Sequence, residues 1–581
     1  MSNTNRLSGQ LPKIQTNNRQ MREVSADAMN ALVRANSPPE IFVRSGRLVQ
    51  FRVDENYRPM LELVDEKILR SRLARVADFC AVSGKNDGMT PVDPPISIVR
   101  DILALGEWDF PPIVSIVECP VLRPSGTILS SSGYDPETKL YYYPSHELTN
   151  LDIPENPTEE QVQDSLELLQ EVIIDFPFSD RASRTNTLGL ILTPVIRPAI
   201  SGNVPMALID APQAGTGKGL LGEITSHIST GHNPLMMPCS KSSEEWRKKI
   251  TSALLADASI IVVDNVTSEL NSEILASALT SPEWGDRLLG KNEIVRLPQR
   301  ATIMANGNNI RLGGDLPRRC YQIRLDAEMS RPWQRSEFKH PKLIEWIDEN
   351  RGRLISAALI LARAWFTAGK PVYRGPTIGG FTEWTNVVGG ILQNAGINGF
   401  LENIEGMYDT ADEESLQWES FLLTLYELHA DTWLTTADIC ESLKMYSGLS
   451  DLLPDEFKSP FDYDGQVLHE FKLQLGREFK KRVNTRFGSS QVYIERGDEK
   501  HRGVAKWLVV CGDAGVCGVP QTPSQITFTD YSMIEGVEII PAIPATPADL
   551  KKECWACGSI AWLERPPERG AGHYCSHCHP S

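Results

Sequence analysis

The pattern of apolar and polar positions divides the chain into regions of different secondary structure. Short apolar runs alternate with segments of helical periodicity across residues 161–340. This alternation predicts an α/β unit, a mainly parallel sheet with helices on both faces. Residues 341–412 include LIEWIDENRGRLISAALILARAWFTAG, in which apolar residues recur at helical spacing. They predict a helical region packed after the sheet.

The N-terminal pattern is mixed. Residues 1–20 are polar and predict a disordered segment. Residues 21–160 predict an α+β domain, with two short strands around a Ser45-Gly46 turn and a helix that begins behind Thr158 as its cap. No catalytic constellation of the primase type is found in this region, neither an Asp-x-Asp pair nor a zinc motif.

The C-terminal pattern predicts three further segments. Residues 413–511 predict a winged-helix-like α+β module, in which a helix begins behind a Thr cap near Trp433. Residues 512–550 are rich in Pro, Gly, Thr and Ser and predict a linker. Residues 551–581 hold four of the chain's cysteines.

Composition narrows the class of protein. The 581 residues are 41% hydrophobic and 23% charged, as in soluble globular domains. No apolar run approaches the ~18 residues of a transmembrane helix, so we expect a cytoplasmic protein with no membrane partner. Most of the eleven cysteines are scattered singly, which predicts reduced thiols. The net charge of −17 excludes a protein that coats nucleic acid with its whole surface, but it allows a local basic face.

A glycine-rich loop follows the apolar run Met206–Ile209 and reads DAPQAGTGKGLL. It resembles the phosphate-binding pattern G-x-x-x-x-G-K-[ST], with Lys218 to reach the β- and γ-phosphates. Pro212 replaces the first glycine, and Gly219 replaces the hydroxyl residue that binds Mg²⁺. A glycine-rich turn that caps a strand is the alternative. The candidate nucleotide-binding residues are Gly215, Thr216, Gly217, Lys218, Gly219 and Leu220.

Later strands supply polar residues in the order that a nucleotide site needs. The buried strand before Asp264 ends in this acid, a candidate Mg²⁺ ligand, and Asn265 follows where a catalytic glutamate often stands. The next apolar strand leads to Asn308, a candidate γ-phosphate sensor, although an Asn-Gly turn explains the same residues. Arg318 and Arg319 follow. We expect Lys218 and Asp264 to meet at the ends of adjacent strands.

These motifs resemble a known family. DAPQAGTGKGLL, IIVVDNV, WGDRLLGKNEIVRLP, GNNIRLGGDLPRRCYQIRLD and FTEWTNVVGGILQNAGINGFLEN are similar to segments of replicative helicases of phages, plasmids and integrative elements. This primase-helicase family is superfamily-three-like within the AAA+ class. Several members also have Gly after the loop lysine and Asp-Asn in the acid strand. The resemblance therefore implies an active site despite both departures.

The resemblance also implies roles and partners. It implies an ATP-driven homo-hexamer that translocates on single-stranded DNA, with a separate primase or replisome proteins as further partners. Lys218 matches the phosphate lysine, Asp264 the Mg²⁺ ligand and Asn308 the sensor. Arg319 or Arg318 matches an arginine that reaches the neighbouring subunit's nucleotide.

Two basic segments are candidates for DNA contact. Residues 287–295 have the composition of a hairpin with Lys291 at its turn, although an exposed surface lysine is the plain alternative. Residues 472–506 contain ten Lys or Arg against four Asp or Glu, which predicts a phosphate-facing surface or a solvated helix face. The candidate contacts there are Lys480, Lys481 and Arg482.

The terminal cysteines form two C-x-x-C pairs separated by 17 residues: Cys554, Cys557, Cys575 and Cys578. This spacing predicts a tetrahedral Zn²⁺ site of four thiolates on a ribbon hairpin. Such a site is structural, because a full shell of thiolates leaves no open position for catalysis.

Two functions follow from these patterns. The first is an ATP-dependent DNA helicase, a replicative motor of a phage or mobile element. The alternative is a nucleotide-gated DNA-binding regulator with slow or no turnover, because Asn265 and Gly219 depart from efficient ATPase sites.

Overall fold

The structure is a computed structural model. The chain forms two compact units, Met1–Asp513 and Ala514–Ser581. The described part of the first unit is residues 11–511, with gaps at 83–87, 146–147, 149–150, 268, 288–293, 412, 455–456, 458–459, 462–465, 489 and 498–504. In the second unit the structure describes residues 562–564 and 573–575.

The N-terminal region is a mixed α+β fold. Its helices are α1 (Met21–Ala35), α2 (Glu66–Val76) and α3 (Ile96–Ala104). Its strands are β1 (Lys13–Gln15), β2 (Ile41–Arg44), β3 (Arg47–Val53), β4 (Pro59–Leu63), β5 (Asp78–Val82), β6 (Met89–Pro91), β7 (Ser115–Val117), β8 (Val121–Leu122), β9 (Ile128–Leu129), β10 (Gly133–Asp135) and β11 (Leu140–Tyr142).

The Ser45-Gly46 turn joins β2 to β3 as predicted. Ser45 has φ 53° and Gly46 has φ 71°. Two consecutive left-handed residues form the two-residue turn that suits the right-handed twist of a hairpin. The strands pair antiparallel from Ile41 with Gln50 to Arg44 with Arg47.

The central sheet has five parallel strands. They are β12 (Met206–Ala211), β13 (Leu235–Pro238), β14 (Ile260–Val266), β17 (Thr302–Asn308) and β18 (Cys320–Arg324), in the spatial order β13-β14-β17-β12-β18. The three inner strands are almost wholly buried, as is expected of strands covered on both faces. The α/β prediction with a parallel sheet is confirmed.

Helices surround this sheet and extend its core. They are α4 (Glu159–Val172), α5 (Arg181–Ile196), α6 (Lys218–Thr230), α7 (Ser243–Leu255), α8 (Glu273–Thr280), α9 (Leu343–Thr367), α10 (Thr382–Asn394) and α11 (Ile404–Ala411). Thr158 caps α4, because its hydroxyl accepts the Gln161 N–H at 3.2 Å. Buried residues of α9 and α10, such as Leu354 and Trp384, join the same core as the sheet.

A second core lies in the C-terminal part of the first unit. It is built from α12 (Glu413–His429), α13 (Thr436–Met445), α14 (Ser447–Asp451), α15 (His469–Lys481), β19 (Leu434–Thr435), β20 (Tyr493–Arg496) and β21 (Lys506–Val510). The strands form an antiparallel sheet in the order β19-β21-β20. Thr435 and Asp438 cap α13 reciprocally, and Trp418, Phe479 and Trp507 fill the core.

The second unit contains an antiparallel pair, β22 (Trp562–Glu564) with β23 (His573–Cys575). A hairpin between the two cysteine pairs is thus present. Cys554, Cys557 and Cys578 lie outside the described residues, so the zinc site stays a prediction. Among the described residues no cluster of three or more His, Cys, Asp or Glu is arranged to hold a metal ion.

Two further sequence-based expectations meet the structure here. Within the described residues, no helix combines the length and the apolar character needed to cross a bilayer. The described free thiols are Cys80, Cys119, Cys239, Cys320 and Cys440. Cys511 differs from the expected reduced thiol, because it is disulfide-bonded.

Buried polar contacts join the N-terminal region to the sheet domain. Arg44 pairs with Asp257 at 2.6 Å, and both side chains are nearly inaccessible. Arg351 of α9 is 3% exposed and donates to the backbone carbonyls of Glu118 and Ser229. These contacts cross more than two hundred residues of sequence in the case of Arg44, so they fix the two regions as one unit.

His232 adds a titratable contact at the same boundary. Its Nε2 lies 3.0 Å from Glu118 Oε1. Burial lowers the pKa of His232, but the hydrogen bond and charge of Glu118 outweigh burial and the net pKa is raised. A raised folded-state pKa stabilises the fold fully below the unfolded value of about 6.5 and loses this contribution as pH rises through the folded pKa.

We therefore predict that His232→Gln reduces the fall in melting temperature between pH 6 and pH 8. Glu118→Gln removes the partner carboxylate and should reduce the same fall. Thermal melts of the full chain across this pH range measure it. Identical pH slopes in the wild type and both variants would contradict the assignment.

Candidate nucleotide-binding site

The glycine-rich loop connects the carboxyl end of β12 to the first residue of α6. Gly215 has φ 83° and Gly217 has φ 100°, both left-handed. Such backbone favours glycine and turns successive amide N–H groups toward one side. Gly217 immediately precedes Lys218, where α6 begins, so the positive end of the helix dipole faces the loop. The local geometry is that of an anion-binding loop.

Close packing also requires two of the loop glycines. A Cβ on Gly215 would lie 3.0 Å from Trp333, and one on Gly217 would lie 3.0 Å from Phe176. Gly219 differs, because a Cβ there meets nothing within 4 Å. The space beside Gly219 therefore accommodates a hydroxyl side chain, and its absence is a feature of the sequence rather than of the packing.

Lys218 is held inside the loop. Its Nζ donates to the Gln213 carbonyl at 2.8 Å and lies 3.3 Å from Thr216 Oγ1. Burial lowers the pKa of Lys218, while the negative charge of Asp210 opposes this. The ammonium is thus partly desolvated among oxygen acceptors, a position from which a phosphate oxygen can replace the carbonyl.

Asp264 lies near the carboxyl end of β14, on the edge of the sheet that also carries the loop. Its half-buried carboxylate forms no hydrogen bond or ion pair within the described part of the chain. The strands of Lys218 and Asp264 are not adjacent as expected, because β17 pairs with both β12 and β14. The loop that carries Lys218 and the strand that carries Asp264 therefore reach the same sheet edge, with β17 between their strands.

The intervening strand brings Asn306 to the acid strand. Asn306 is 4% exposed, and its Oδ1 accepts the Asn265 N–H at 2.9 Å. Asn265 itself is exposed, with φ 55°, at a break in the register between β14 and β17. The predicted sensor Asn308 is exposed at the end of β17, in register with Ala211. Both asparagines of the Asn-Gly-Asn sequence thus lie between loop and acid.

Asp210 was not predicted from the sequence. It is 1% exposed on β12, accepts the Ile310 N–H at 3.0 Å and pairs with Arg324, the last residue of β18. This carboxylate braces three chain segments beneath the loop and contributes negative charge near Lys218. The available signal was an acid inside an apolar strand directly before the glycines.

The arginine pair lies at the other edge of the sheet. Arg318 and Arg319 form a short 3-10 turn immediately before β18, and in a parallel sheet the amino ends of the strands lie opposite the carboxyl ends. Both side chains pair with Asp315. Arg319 is largely buried and also donates to Ala276 and Thr280, whereas Arg318 is 74% exposed. Neither arginine belongs to the loop's own edge.

A cavity of about 360 Å³ opens beside the loop. It is largely apolar, and Arg335 contributes a cation that lies 5.3 Å from the Phe338 ring centre. The lining includes Gly217 with Phe176, Leu220, Pro332, Phe338 and Leu343. An aromatic and aliphatic cavity next to an anion-binding loop suits a flat heterocycle joined to phosphates.

The candidate DNA-contact residues differ in their surroundings. Lys291 lies outside the described residues, although its hairpin is present as β15 (Glu283–Arg287) paired antiparallel with β16 (Ile294–Pro298). Lys480 is exposed at the end of α15, and Lys481 pairs with Glu478 at 2.6 Å. Arg482 is held by Glu478 and lies 4.7 Å from the Trp418 ring centre. Two of the three α15 candidates are therefore engaged within the chain.

Several solved structures are similar to this chain. No family model matches the chain, and no curated protein matches it. The apo C-terminal region of NrS-1 is similar in structure, at 12% identity, TM-score 0.32, over 83% of this chain and 98% of that one. The active helicase Cch of SCCmec type IV is similar at 12% identity, TM-score 0.29, over 74% and 81%.

The loop geometry generates a matched test. Gly217→Ala forces an unfavourable φ and a clash with Phe176, a cost of about 1–3 kcal/mol that weakens nucleotide affinity about 5- to 150-fold. Gly219 lies two residues after Gly217, and a Cβ there meets nothing within 4 Å, so Gly219→Ala should leave nucleotide affinity within about twofold of wild type. Titration with a fluorescent ATP analogue measures both. Equal losses in the two variants would show that the loop does not bind phosphates as described.

Proposed function

We propose that the chain is an ATP-dependent DNA helicase, an AAA+-like motor of a phage or mobile element that translocates on single-stranded DNA. The observation that carries the proposal is the shared sheet edge. There the left-handed glycine loop with Lys218 and the strand that carries the unpaired, half-buried carboxylate of Asp264 lie on either side of β17.

The residues at this edge have different roles in binding ATP. The loop amides between Gly215 and Lys218 and the α6 dipole bind the phosphates, and Lys218 Nζ leaves Gln213 to donate to them. Asp264 would hold Mg²⁺, which supplies charge neutralisation to the phosphates when bound. One carboxylate suits this ion because Mg²⁺ retains several waters, and a water would take the place of the hydroxyl missing at Gly219.

The asparagines position the attacking water in this proposal. Asn306 fixes the Asn265 backbone by accepting its N–H, and Asn265 is exposed directly after Asp264 in the chain. An amide orients water by hydrogen bonds but does not take its proton. We therefore expect hydrolysis to rest on positioning and charge stabilisation, with Asn308 contacting the γ-phosphate.

The adenine ring is proposed to occupy the cavity beside the loop. Phe176 and Leu220 adjoin the glycines, and Phe338 with Arg335 lines the other wall. The apolar lining favours a flat base over an extended polar group. The combination of phosphate loop and base cavity supports ATP rather than inorganic phosphate as the ligand.

Assembly is proposed from the position of the arginine pair. Arg318 is exposed at the amino edge, away from its own loop, so it is available to the nucleotide of a neighbouring subunit. An arginine supplied in trans stabilises transferring charge and makes hydrolysis depend on oligomer contacts. We propose a homo-hexamer on this basis and on the sequence resemblance.

DNA contact is proposed for the C-terminal module of the first unit. The order helix, strand, three helices and two strands, with the antiparallel sheet β19-β21-β20, supports a winged helix. Lys480 is exposed at the end of α15, while Arg482 is committed to Glu478 and Trp418. The zinc ribbon and the hairpin tip at Lys291 remain further proposed contacts from the sequence alone.

The motor proposal predicts ATP hydrolysis that single-stranded DNA stimulates. Lys218→Ala should reduce the hydrolysis rate at least about 100-fold, because it removes a preorganised charge on the phosphates. Asp264→Asn should abolish hydrolysis while the chain still binds nucleotide. A coupled phosphate-release assay with and without a single-stranded oligonucleotide measures the rates.

The same assay distinguishes the alternative function. Asn265 in place of a carboxylate favours a nucleotide-gated DNA-binding regulator. That function requires tight ATP binding, little hydrolysis and no stimulation by DNA. A rate that DNA leaves unchanged would reject the motor and favour the regulator.

The C-terminal module generates a paired prediction. Lys480→Gln should weaken binding to single-stranded DNA and reduce the slope of log affinity against log salt by about 0.7, without changing the melting temperature. Arg482→Gln should lower the melting temperature, because it leaves the buried Glu478 without one partner and uncovers Trp418. Fluorescence anisotropy and thermal melts measure the two effects. An Arg482 variant with normal stability and the larger loss of DNA affinity would reverse the assignment.

A further inference from the structure

A small cavity lies at the amino edge of the central sheet, opposite the nucleotide loop. Ala258 and Ser259 before β14, Ala301 and Thr302 at the start of β17, and residues of β7 contribute to its walls. Its volume is about 60 Å³. A buried water needs roughly 10–15 Å³ of such space, so the cavity holds a few waters or one small ion.

Two arginines line this cavity. Arg197, directly after α5, is 7% exposed; one terminal nitrogen donates to the Ile200 carbonyl at 3.0 Å, while its buried Nε has no partner. Arg300, between β16 and β17, forms no hydrogen bond or ion pair within the described part of the chain. Burial, and then the charge of Arg300, lowers the pKa of Arg197 to about 9. Burial also lowers the pKa of Arg300.

The cavity's acid is already engaged. Asp257 is the one carboxylate among the described lining residues. It pairs with Arg44 at 2.6 Å and accepts hydrogen bonds from the Ser115 hydroxyl and the Ile116 N–H, both at 2.9 Å. Arg44 therefore neutralises Asp257, and the charges of Arg197 and Arg300 remain unmatched.

We propose that Arg197 and Arg300 bind a small oxyanion of the phosphate class in this cavity. Buried charges are costly unless they are paired, and here the buried Arg197 shares the cavity with the half-buried Arg300, with no unpaired acid among the described lining residues. A guanidinium offers planar, paired N–H donors that match phosphate oxygens. The oxyanion is either free inorganic phosphate or a backbone phosphate of a bound nucleic acid.

Occupancy would connect three parts of the fold. Arg197 directly follows α5, Arg300 follows the β15-β16 hairpin, and Ser115 belongs to the N-terminal region. An ion held between them fixes the base of the hairpin to the sheet and to the N-terminal region. The site is separate from the ATP site, because it lies at the opposite edge of the same parallel strands.

The test uses the full chain with Lys218→Ala, so that the loop does not bind the added phosphate. Inorganic phosphate is titrated against sodium chloride of matched ionic strength, and the melting temperature is followed. We expect a saturable rise of about 2 °C in this background. Adding Arg300→Met should remove the rise, whereas adding Arg296→Met, an exposed arginine on β16, should preserve it.

Further arms identify the source of the ion. Without phosphate, Arg300→Met should melt higher than its parent, because it relieves the repulsion of Arg197. If only a single-stranded oligonucleotide gives an Arg300-dependent rise, the ion is a nucleic-acid phosphate; if inorganic phosphate suffices, it is the free ion. Arg300→Gln keeps a polar side chain and should repeat the loss. Rises of equal size with and without Arg300, for both probes, overturn the proposal.

Discussion

Parallel pairing of β12, β17 and β14 is the constraint on which the rest of the structure depends. In a parallel sheet every strand ends at the same edge, so residues from distant parts of the sequence meet there. Lys218 and Asp264 are brought to this edge by the pairing, and Asn306 bonds to the acid strand between them. All three strands are largely buried, so the sheet core holds this arrangement in place.

The same constraint separates charges by edge. The glycine loop, Asp264 and the asparagines lie at the carboxyl edge, while the amino edge carries Arg319 before β18 and the pair Arg197 and Arg300. In the proposed hexamer, a subunit that presents cations away from its own loop would complete a neighbour's site. Asp210 stabilises the carboxyl edge by bracing β18 against the loop strand.

The features that could be predicted from the sequence are those that short-range residue patterns determine. The Ser45-Gly46 hairpin, the Thr158 cap and the parallel sheet follow from local spacing and residue type, and the structure confirms them. Strand order does not follow from local spacing. The expectation that the loop strand β12 and the acid strand β14 are adjacent was therefore wrong, because β17 lies between them. The buried ion pair of Arg44 and Asp257 could not be predicted from the sequence either, because 213 positions separate the two residues.

The sequence also does not predict which charged side chains form contacts within the chain. Lys480, Lys481 and Arg482 are consecutive cations of similar appearance, yet Glu478 and Trp418 hold Arg482 and leave Lys480 in solvent. A charge count records all three equally, whereas desolvation and pairing decide which of them reaches a phosphate. The reverse holds at the amino edge, where Arg197 and Arg300 are isolated in sequence but share one cavity without an acid to neutralise them. The neighbours that the fold gives each charged side chain therefore decide whether it pairs within the chain or can bind a ligand.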